Sequence, residues 1–260
     1  MKIISWNVNG IRAVLKKWFA EWVATENPVV LCLQEVKAFE HQCVGDVSLV
    51  MPGYEYVRHA WTRPWYAWTA TFWKKWLPHT QSIATFDASS FHEDGRVVQT
   101  DFEDISLLNC YFPNGWTRAD WTEMLSYKLA FYDELTKYCD MLQSQWQHVI
   151  VGWDFNIAHT ENDLARPKEN QNSIGFLPIE RARIWEFFDS WYIDTFRKFV
   201  PDWDGHYTRR AYRAGARPRN VWRRIDYFAV SKGLENRVAD MQHMPHVMGS
   251  DHCPIYIDIK

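Results

Sequence analysis

Short apolar runs recur along the chain, and polar or turn-forming residues bound each of them. Runs of about four to eight residues favour buried β-strands over helices, which need roughly ten or more. We therefore expect strands at 2–7, 29–35, 95–102, 105–112, 148–156, 225–231 and 254–259.

Helical patterns separate several of these strands. Residues 122–143 predict an amphipathic helix with one apolar face, formed by Met124, Leu125, Leu129, Tyr132, Leu135, Tyr138, Cys139 and Leu142. Further helices are expected over 11–25 and over 178–190, the second with Pro178 in its first turn. Strands mixed with helices, with no Ser/Gly-rich linker, predict an α/β fold: one domain over 1–260 with two packed sheets.

The composition indicates a soluble globular protein. Of the 260 residues, 47% are hydrophobic and 23% are charged. No apolar run approaches the roughly 20 residues that span a membrane, and the first residues lack a signal-peptide pattern. The five cysteines are odd in number and form no CxxC pair, which favours reduced thiols and a cytoplasmic protein. Nothing in the sequence demands more than a monomer.

Positive charge is concentrated in one segment. Residues 209–224 contain seven arginines and no acid, whereas the whole chain has a net charge of −3. The rest of the chain is therefore acidic, at about −10. A basic patch on an acidic body is typical of a protein that binds a polyanion, although a solvated loop is the simpler alternative.

Polar side chains follow or precede the predicted strands. They are Asn7, Asn9, Glu35, Tyr111, Asn114, Asp154, Asn156, Asp226, Asp251 and His252. One polar strand end is usually a cap or a turn, and Asp154 with Asn156 could simply form an Asx turn. Several such ends in one chain predict a ligand site at the rim of the sheets.

The residue types indicate chemistry on phosphate. Carboxylate and amide oxygens suit Mg²⁺ or Mn²⁺ better than zinc, and Glu35 is the best single candidate for a ligand. His252 could be kept cationic near a phosphate, with Asp226 orienting the ring. Asp154 could activate a water while Asn156 holds a phosphate oxygen. Together they predict a metal-assisted phosphoesterase.

Nine motifs occur in order between residues 4 and 255. They are "ISWNVNGIRA" (4–13), "LCLQEVK" (31–37), "YFPNG" (111–115), "DFNIAH" (154–159), "DLARPKEN" (163–170), "GFLPIER" (175–181), "DTFR" (194–197), "RIDYF" (224–228) and "GSDHCPI" (249–255). The set resembles the exonuclease III family of abasic-site (AP) endonucleases, within the wider DNase I-like group of phosphoesterases.

This resemblance implies a four-layered α/β sandwich, with two mixed sheets packed face to face and helices outside. It implies a DNA-repair hydrolase of base excision repair that requires Mg²⁺, for which Mn²⁺ can substitute. Its partner would be double-stranded DNA, cut 5′ to abasic sites or trimmed at blocked 3′ ends by exonuclease or phosphatase activity. The enzyme would be cytoplasmic, and nucleoid-associated in a bacterium.

The resemblance also implies roles for single residues. Glu35 resembles the metal-binding glutamate, with Asn7 and Asn9 near the metal and phosphate and Asp251 close to the metal. Asp154 resembles the aspartate that positions or deprotonates the attacking water.

On the same basis, Asn156 would bind the phosphate and Tyr111 would lie beside the scissile bond. His252 would contact the phosphate, oriented by Asp226. The expected DNA-binding residues are Asn114, Lys168, Arg209, Arg210, Arg213, Arg217 and Arg223.

The chain departs from this pattern where glycine or tryptophan is expected. Trp153, Trp191, Trp222 and the "WYAW" segment (65–68) stand where small residues are usual. Two origins of these departures are open: natural divergence and changes introduced into the sequence. Since a tryptophan at positive φ costs about 1–3 kcal/mol, we expect either that many of these positions tolerate a side chain or that the local turns rearrange.

A second group of departures concerns the substrate pocket. Arg209 and Arg210 replace an aromatic pair, and Arg223 replaces a tryptophan, in the walls expected around a flipped-out abasic sugar. Arginines there would add phosphate affinity and remove apolar shape selection, so we expect weaker discrimination of abasic sites. Two alternatives remain: a DNA-binding relative with little turnover, and a phosphatase acting on non-DNA phosphates.

Overall fold

The computed structural model describes residues 1–38, 51–59, 68–86, 91, 94–117, 123–210 and 222–260, and for Trp153 the main chain only. Two of the expected DNA-binding residues, Arg213 and Arg217, lie outside these ranges. The same holds for residues 65–67 of the "WYAW" segment.

The described strands form two six-stranded mixed sheets. They are β1 Lys2–Asn7, β2 Val30–Gln34, β3 Tyr54–His59, β4 Thr69–Lys74, β5 Gln81–Ile83, β6 Val97–Phe102, β7 Ile105–Tyr111, β8 His148–Asp154, β9 Tyr192–Asp194, β10 Asp226–Ser231, β11 Val238–His243 and β12 Ile255–Ile259. The first sheet has the order β11-β12-β1-β2-β4-β3 and the second β5-β6-β7-β8-β10-β9. All the predicted strands are present, with ends that shift by one or two residues.

Helices cover the outer faces of both sheets. The described α-helices are Ile11–Leu15, Phe19–Glu26, Leu125–Ser144, Pro167–Asn170, Pro178–Ser190 and Thr195–Phe199. The single helix predicted over 11–25 was wrong, because the chain leaves helical geometry at Trp18, where φ is −142°. The buried face of Leu125–Ser144 also differs from the prediction: Lys128 and Phe131 are buried, whereas Leu125 and Leu129 are only partly buried.

Alternation along the strands divides the core into layers. Ile3 and Leu107 point into the layer between the sheets, with Ile150 from β8. Ile4 points outward and packs with the helices near the N-terminus. Residues of the second sheet likewise pack outward against Leu125–Ser144 and Pro178–Ser190. This is the predicted four-layered sandwich. Among the described helices, none is both long and apolar enough to cross a membrane.

The sheet topology brings the predicted polar residues to one edge. Strands β1 and β2 run parallel, as do β7 and β8, with Tyr111 opposite Asp154. Strand β10 runs antiparallel to β8 and begins at Asp226, directly opposite Asp154. Strand β12 runs antiparallel to β1, so the segment before it lies where β1 ends. Polar residues at these ends and beginnings therefore meet.

Three of the tryptophans at expected glycine positions fit ordinary backbone geometry. Trp153 lies in the regular ladder of β8, opposite Tyr227. Trp191 has a φ of −145°, and Trp222 is not among the residues with positive φ. Trp68 does adopt the left-handed region, with φ 68°. At Trp153, Trp191 and Trp222 the main chain thus needs no glycine, whereas at Trp68 it adopts a conformation that favours glycine.

Gly152 is required by the packing of the two sheets. A Cβ atom there would lie 2.6 Å from Cε1 of Phe228, a fully buried ring of the layer between the sheets. We expect Gly152→Ala to lower the free energy of unfolding by about 1–3 kcal/mol, measured by urea denaturation.

The matched control is Gly233→Ala. Its Cβ would also lie 2.6 Å from a ring, that of His148, but this side chain is 35% exposed and can move aside. The control should cost less than about 1 kcal/mol. Equal losses in the two variants would show that the Phe228 contact is not the cause.

Candidate active site

A polar cleft of about 300 Å³ opens at the shared edge of the two sheets. It is lined by Asn9, Glu35, Lys37, Tyr111, Asn114, Trp116, Asn156, Arg209, Asp251 and His252. Three further predicted residues, Asn7, Asp154 and Asp226, are buried and contact these lining side chains. The predicted catalytic and metal-binding residues thus converge.

Asn7 connects the two sheets at the centre of the site. Its Nδ2 donates to Oε1 of Glu35 at 2.9 Å and to Oδ2 of Asp154 at 2.9 Å. Its Oδ1 accepts from the backbone N–H of Asn9 at 3.0 Å. The side chain was predicted near the metal, and in this structure it lies as a donor between two carboxylates.

A chain of alternating charges lines one wall of the cleft. Lys37 pairs with Glu35 and also donates to Oδ1 of Asn9 at 2.8 Å. Asn9 in turn donates to Oδ1 of Asp251 at 3.0 Å, and Arg209 binds the other oxygen at 3.3 Å. Burial alone would raise the pKa of Glu35, but Lys37 and Asn7 outweigh it and lower the pKa. His252 and Arg209 likewise outweigh burial and lower the pKa of Asp251.

His252 lies between two buried aspartates. Its Nδ1 is 2.9 Å from Oδ2 of Asp226, and its Nε2 is 3.8 Å from Oδ2 of Asp154. Thr208 fixes Asp226 by donating to the same carboxylate at 2.5 Å. Burial disfavours the imidazolium, yet Asp226 and Asp154 raise the pKa of His252 to about 9. The histidine is therefore a cation at neutral pH.

Asp154 is the least compensated of these carboxylates. Burial, together with repulsion from Asp226 and Glu35, raises its pKa to about 7, against the opposing effects of His252 and Asn7. Its Oδ1 accepts from the backbone N–H of Asn156 at 2.9 Å, which fixes the carboxylate plane. A carboxylate with a pKa near 7 is suited to accept a proton at physiological pH.

Several site residues have strained main chains. Asn9, Glu35, Lys37 and Asn156 all adopt left-handed φ values between 44° and 54°. Such conformations cost free energy for residues other than glycine and cluster at functional sites. Here they turn the chain sharply after β1, β2 and β8, so that the side chain after each strand points into the cleft.

A buried ion pair supports the loop that follows Asp154. Lys128 and Glu180 are both fully buried, and Nζ of Lys128 lies 2.7 Å from Oε1 of Glu180. The same Nζ donates to the carbonyl of Asn156 at 2.9 Å, and Oε2 of Glu180 accepts from the N–H of Gly175 at 2.6 Å. This pair therefore ties the strained turn at Asn156 to the helices behind it.

Tyr111 lies at the end of β7 beside the buried carboxylates. Burial and the negative charges of Glu35 and Asp154 raise its pKa well above the usual value. Its hydroxyl is consequently a hydrogen-bond donor throughout the physiological range. The guanidinium of Arg96 lies 5.3 Å from the centroid of the Tyr111 ring and makes a cation–π contact with it.

The predicted DNA-binding residues do not all reach the cleft. Asn114 and Arg209 line it. Arg210 borders a separate apolar pocket together with His243. Arg223 donates to the carbonyl of Ile174 at 2.7 Å and thus holds the loop before Gly175.

Two further basic residues differ from each other in exposure. Lys168 is exposed on the short helix Pro167–Asn170. Arg224, one of the seven arginines counted in the basic segment, is fully buried and pairs with Asp163 at 2.8 Å and Asp194 at 2.6 Å. Its charge therefore supports the fold and is not available to a polyanion.

Sequence reasoning missed four residues of the site and its support: Lys37, Lys128, Thr208 and Trp116. Lys128 had a detectable signal, since it lies four residues after Met124 and three before Phe131, on the apolar stripe of its helix. Lys37 lies two residues after Glu35, which directly follows β2. Thr208 had no distinguishing pattern, because its role depends on the close approach of β10.

Metal-binding geometry identifies a group that differs from the expected ligand set. Within the described residues, ligand atoms of Asp154, Asp226 and His252 all lie within 4.8 Å of one another. This buried group could hold a metal ion. However, His252 already binds Asp226 and is protonated near neutral pH, and a protonated imidazole is a poor ligand. The oxygens of Glu35 and Asp251 border the open cleft.

Comparison with known proteins defines the class of this fold. A solved AP endonuclease of Leishmania major superposes with a TM-score of 0.88 at 30% sequence identity, and covers all of this chain and 87% of that one. The Endonuclease/Exonuclease/phosphatase family model matches residues 4–252.

Two curated relatives extend the similarity across the whole chain. An exodeoxyribonuclease of Bacillus subtilis is 37% identical over the full length of both chains. A DNA-(apurinic or apyrimidinic site) endonuclease of Dictyostelium discoideum is 39% identical over 98% of this chain and 69% of its own length. This chain belongs to the Endonuclease/Exonuclease/phosphatase family, and the resemblance inferred from its motifs is confirmed. Members of this family are metal-dependent.

The raised pKa of Asp154 predicts a gain of stability when its charge is removed. The pKa is about 7 in the folded protein against a usual 3.8. Above pH 4 the unfolded chain therefore releases a proton that the folded protein keeps until about pH 7, so this residue destabilises the fold as pH rises. Asp154→Asn should be more stable than the parent by about 1–3 kcal/mol at pH 8. Urea unfolding in EDTA should show the difference vanishing towards pH 4.

Asp251→Asn is the matched control, because the pKa of Asp251 is lowered whereas that of Asp154 is raised. A lowered pKa contributes stability above the unfolded pKa that is lost as pH falls. The control should be neutral or less stable than the parent at pH 8. A gain in both variants would assign the effect to general charge reduction in the cleft.

Proposed function

We propose that this protein is a Mg²⁺-dependent DNA-repair phosphodiesterase that cleaves the DNA backbone 5′ to abasic sites. The same site would also remove nucleotides or phosphates from blocked 3′ ends. The observation that supports this most directly is the buried array Asp226–His252–Asp154 beside the open carboxylates of Glu35 and Asp251. The family of the chain and the names of its relatives support the choice of DNA as substrate.

The acid and base roles follow from the electrostatics. Asp154, with its pKa near 7, would accept a proton from the attacking water. The cationic His252 would hold a phosphate oxygen and stabilise the charge that develops on it, while Asp226 keeps its ring in place. Tyr111, which stays protonated and lines the same cleft, would donate to the phosphate.

Glu35 and Asp251 are the residues that would hold the metal. Their oxygens border the cleft, and oxygen donors of this kind suit Mg²⁺ or Mn²⁺. Burial raises the pKa of Asp154, and the negative charges of Asp226 and Glu35 raise it further; a cation in the cleft would offset these charges. When bound, the cation would neutralise the phosphate and the departing 3′-oxygen. Lys37 and Arg209, now paired with these carboxylates, would become available to phosphate oxygens.

The pocket for the abasic sugar is altered in a specific way. Arg209 and Arg223 pair through their backbones, with N–H to carbonyl distances of 3.0 and 3.4 Å. The guanidinium of Arg209 turns to Asp251, and that of Arg223 turns to the loop at Ile174. Neither residue supplies an aromatic wall, which supports weaker selection of the abasic sugar against an intact nucleotide.

The central experiment compares a duplex with one abasic site, an intact duplex and a duplex with a 3′-phosphate, each with and without Mg²⁺. We expect Mg²⁺-dependent nicking 5′ to the abasic site. Asp154→Asn should reduce its rate by at least about 10³-fold, because the variant lacks the general base. Tight binding without nicking would favour the DNA-binding alternative. Turnover of small phosphates that DNA does not inhibit would favour the phosphatase. We expect the active form to be a cytoplasmic monomer.

Restoring an aromatic wall should sharpen substrate choice. Arg209→Trp removes the ion pair to Asp251 and supplies an aromatic face, so the ratio of cleavage at abasic over intact sites should rise by about tenfold. Arg210→Trp is the control, since Arg210 borders the separate pocket and not the cleft. Equal changes in the two variants, measured as kcat/KM ratios, would contradict a wall at position 209.

A further inference from the structure

Trp116 is exposed at the mouth of the catalytic cleft. Its side chain is 60% exposed, and the other residues that line the cleft are polar or charged. Most of its indole surface is therefore open to solvent inside the cleft. Other exposed tryptophans, such as Trp76 and Trp203, do not line this cleft, so the position of Trp116 beside the phosphate-directed groups is what distinguishes it.

The main chain beneath this tryptophan is held in place. The N–H of Trp116 donates to Oδ1 of Asn114 at 3.1 Å. Gly115 adopts φ 80°, and a Cβ there would lie 3.1 Å from Cδ of Lys128. Since Lys128 is locked by Glu180, the turn rests on the same buried pair that supports Asn156. The indole is therefore presented from a fixed base.

An exposed indole suits the face of a nucleobase. Stacking of a base on an aromatic side chain contributes about 1–3 kcal/mol and does not depend on the sequence. A base within a duplex has both faces covered by its neighbours. A base that is unpaired, at a frayed or mismatched 3′ end, has a free face to offer.

We infer that Trp116 stacks on an unpaired nucleobase next to the phosphate in the cleft, and that it directs the enzyme towards frayed or mismatched 3′ ends. This inference rests on the proposed nuclease function. It adds a specificity-determining residue that acts on the base, whereas the rest of the cleft acts on the phosphate.

The test measures binding separately from cleavage. Nicked duplexes carry 2-aminopurine at the 3′ terminus within the nick, either paired, so that both faces are covered, or mismatched, and they are titrated with protein in EDTA. Stacking on the indole should quench the fluorescence of the mismatched base. Trp116→Ala should weaken binding of the mismatched end by about 5–100-fold and abolish the quenching. The paired end should change by less than about twofold, and Trp116→Phe should keep most of the affinity.

Trp146→Ala is the matched control. Trp146 is 92% exposed and precedes β8, whose other end reaches the cleft, so it lies at the opposite edge of the sheet. The Trp146→Ala variant should bind the paired and the mismatched duplex as tightly as the parent protein does. Equal loss of paired and mismatched binding in Trp116→Ala, or no loss, would overturn the inference.

A parallel cleavage assay with Mg²⁺ distinguishes failure of the stacking inference from failure of the proposed nuclease function. If the parent cleaves DNA and Trp116→Ala shows the same preference for mismatched ends, only the stacking role is wrong. If the parent cleaves none of the DNA substrates, the nuclease proposal itself is wrong. The EDTA titration then decides the stacking role alone.

Discussion

The active site depends on holding four carboxylates together where water has little access. Glu35 and Asp251 are mostly covered, and Asp154 and Asp226 are buried. A carboxylate moved out of water without compensation costs several kcal/mol. Each of the four therefore needs a cation or a donor at contact distance, and much of the surrounding structure supplies these. Lys37, Asn7, His252 and Arg209 are the compensating groups.

The negative charge of the four carboxylates is compensated to different extents, and this difference assigns the acid and base roles. Two carboxylates have lowered pKa values: Lys37 lowers that of Glu35, and His252 together with Arg209 lowers that of Asp251. Asp154 has an amide donor and a histidine 3.8 Å away, and its pKa is raised. Asp154 can thus exchange a proton near neutral pH while Glu35 and Asp251 stay ionised. Separation of pKa values within a set of similar groups is a general means of assigning acid and base roles.

The sequence predicted much of the fold because the central strands are long apolar runs. Five strands were missed: β3, β4, β5, β9 and β11. Strands β3 and β11 are only partly buried, and β5 and β9 have three residues each. Strand β4 is buried, but its sequence TATFWK contains no Val, Ile or Leu. The helix break at Trp18 was missed because the apolar pattern continues through it; in the structure the ring of Trp18 stacks on that of Trp6.

The site was predictable to the extent that it is built from strand ends. Polar residues such as Glu35 and Asp154 stand out at the end of apolar runs, and the topology brings them together. The role of Asn7 was not predictable in the same way, because residue type does not show whether the amide nitrogen or oxygen faces a carboxylate. Lys128 was hidden on an apolar helix face, where only its partner Glu180, fifty-two residues later, explains its burial.

The pairing of β1 with β12 also bears on when the site becomes complete during folding. Ser5 pairs with Ile255, and the carbonyl of Asn7 accepts a hydrogen bond from Ser250, 243 residues later in the chain. Asp251 and His252 reach the other site residues through this pairing. Non-local contacts of this kind require the closure of a long loop and are slow to form. A folding chain therefore lacks the histidine of its cleft until β12 has docked on β1, and a non-local contact completes the cleft.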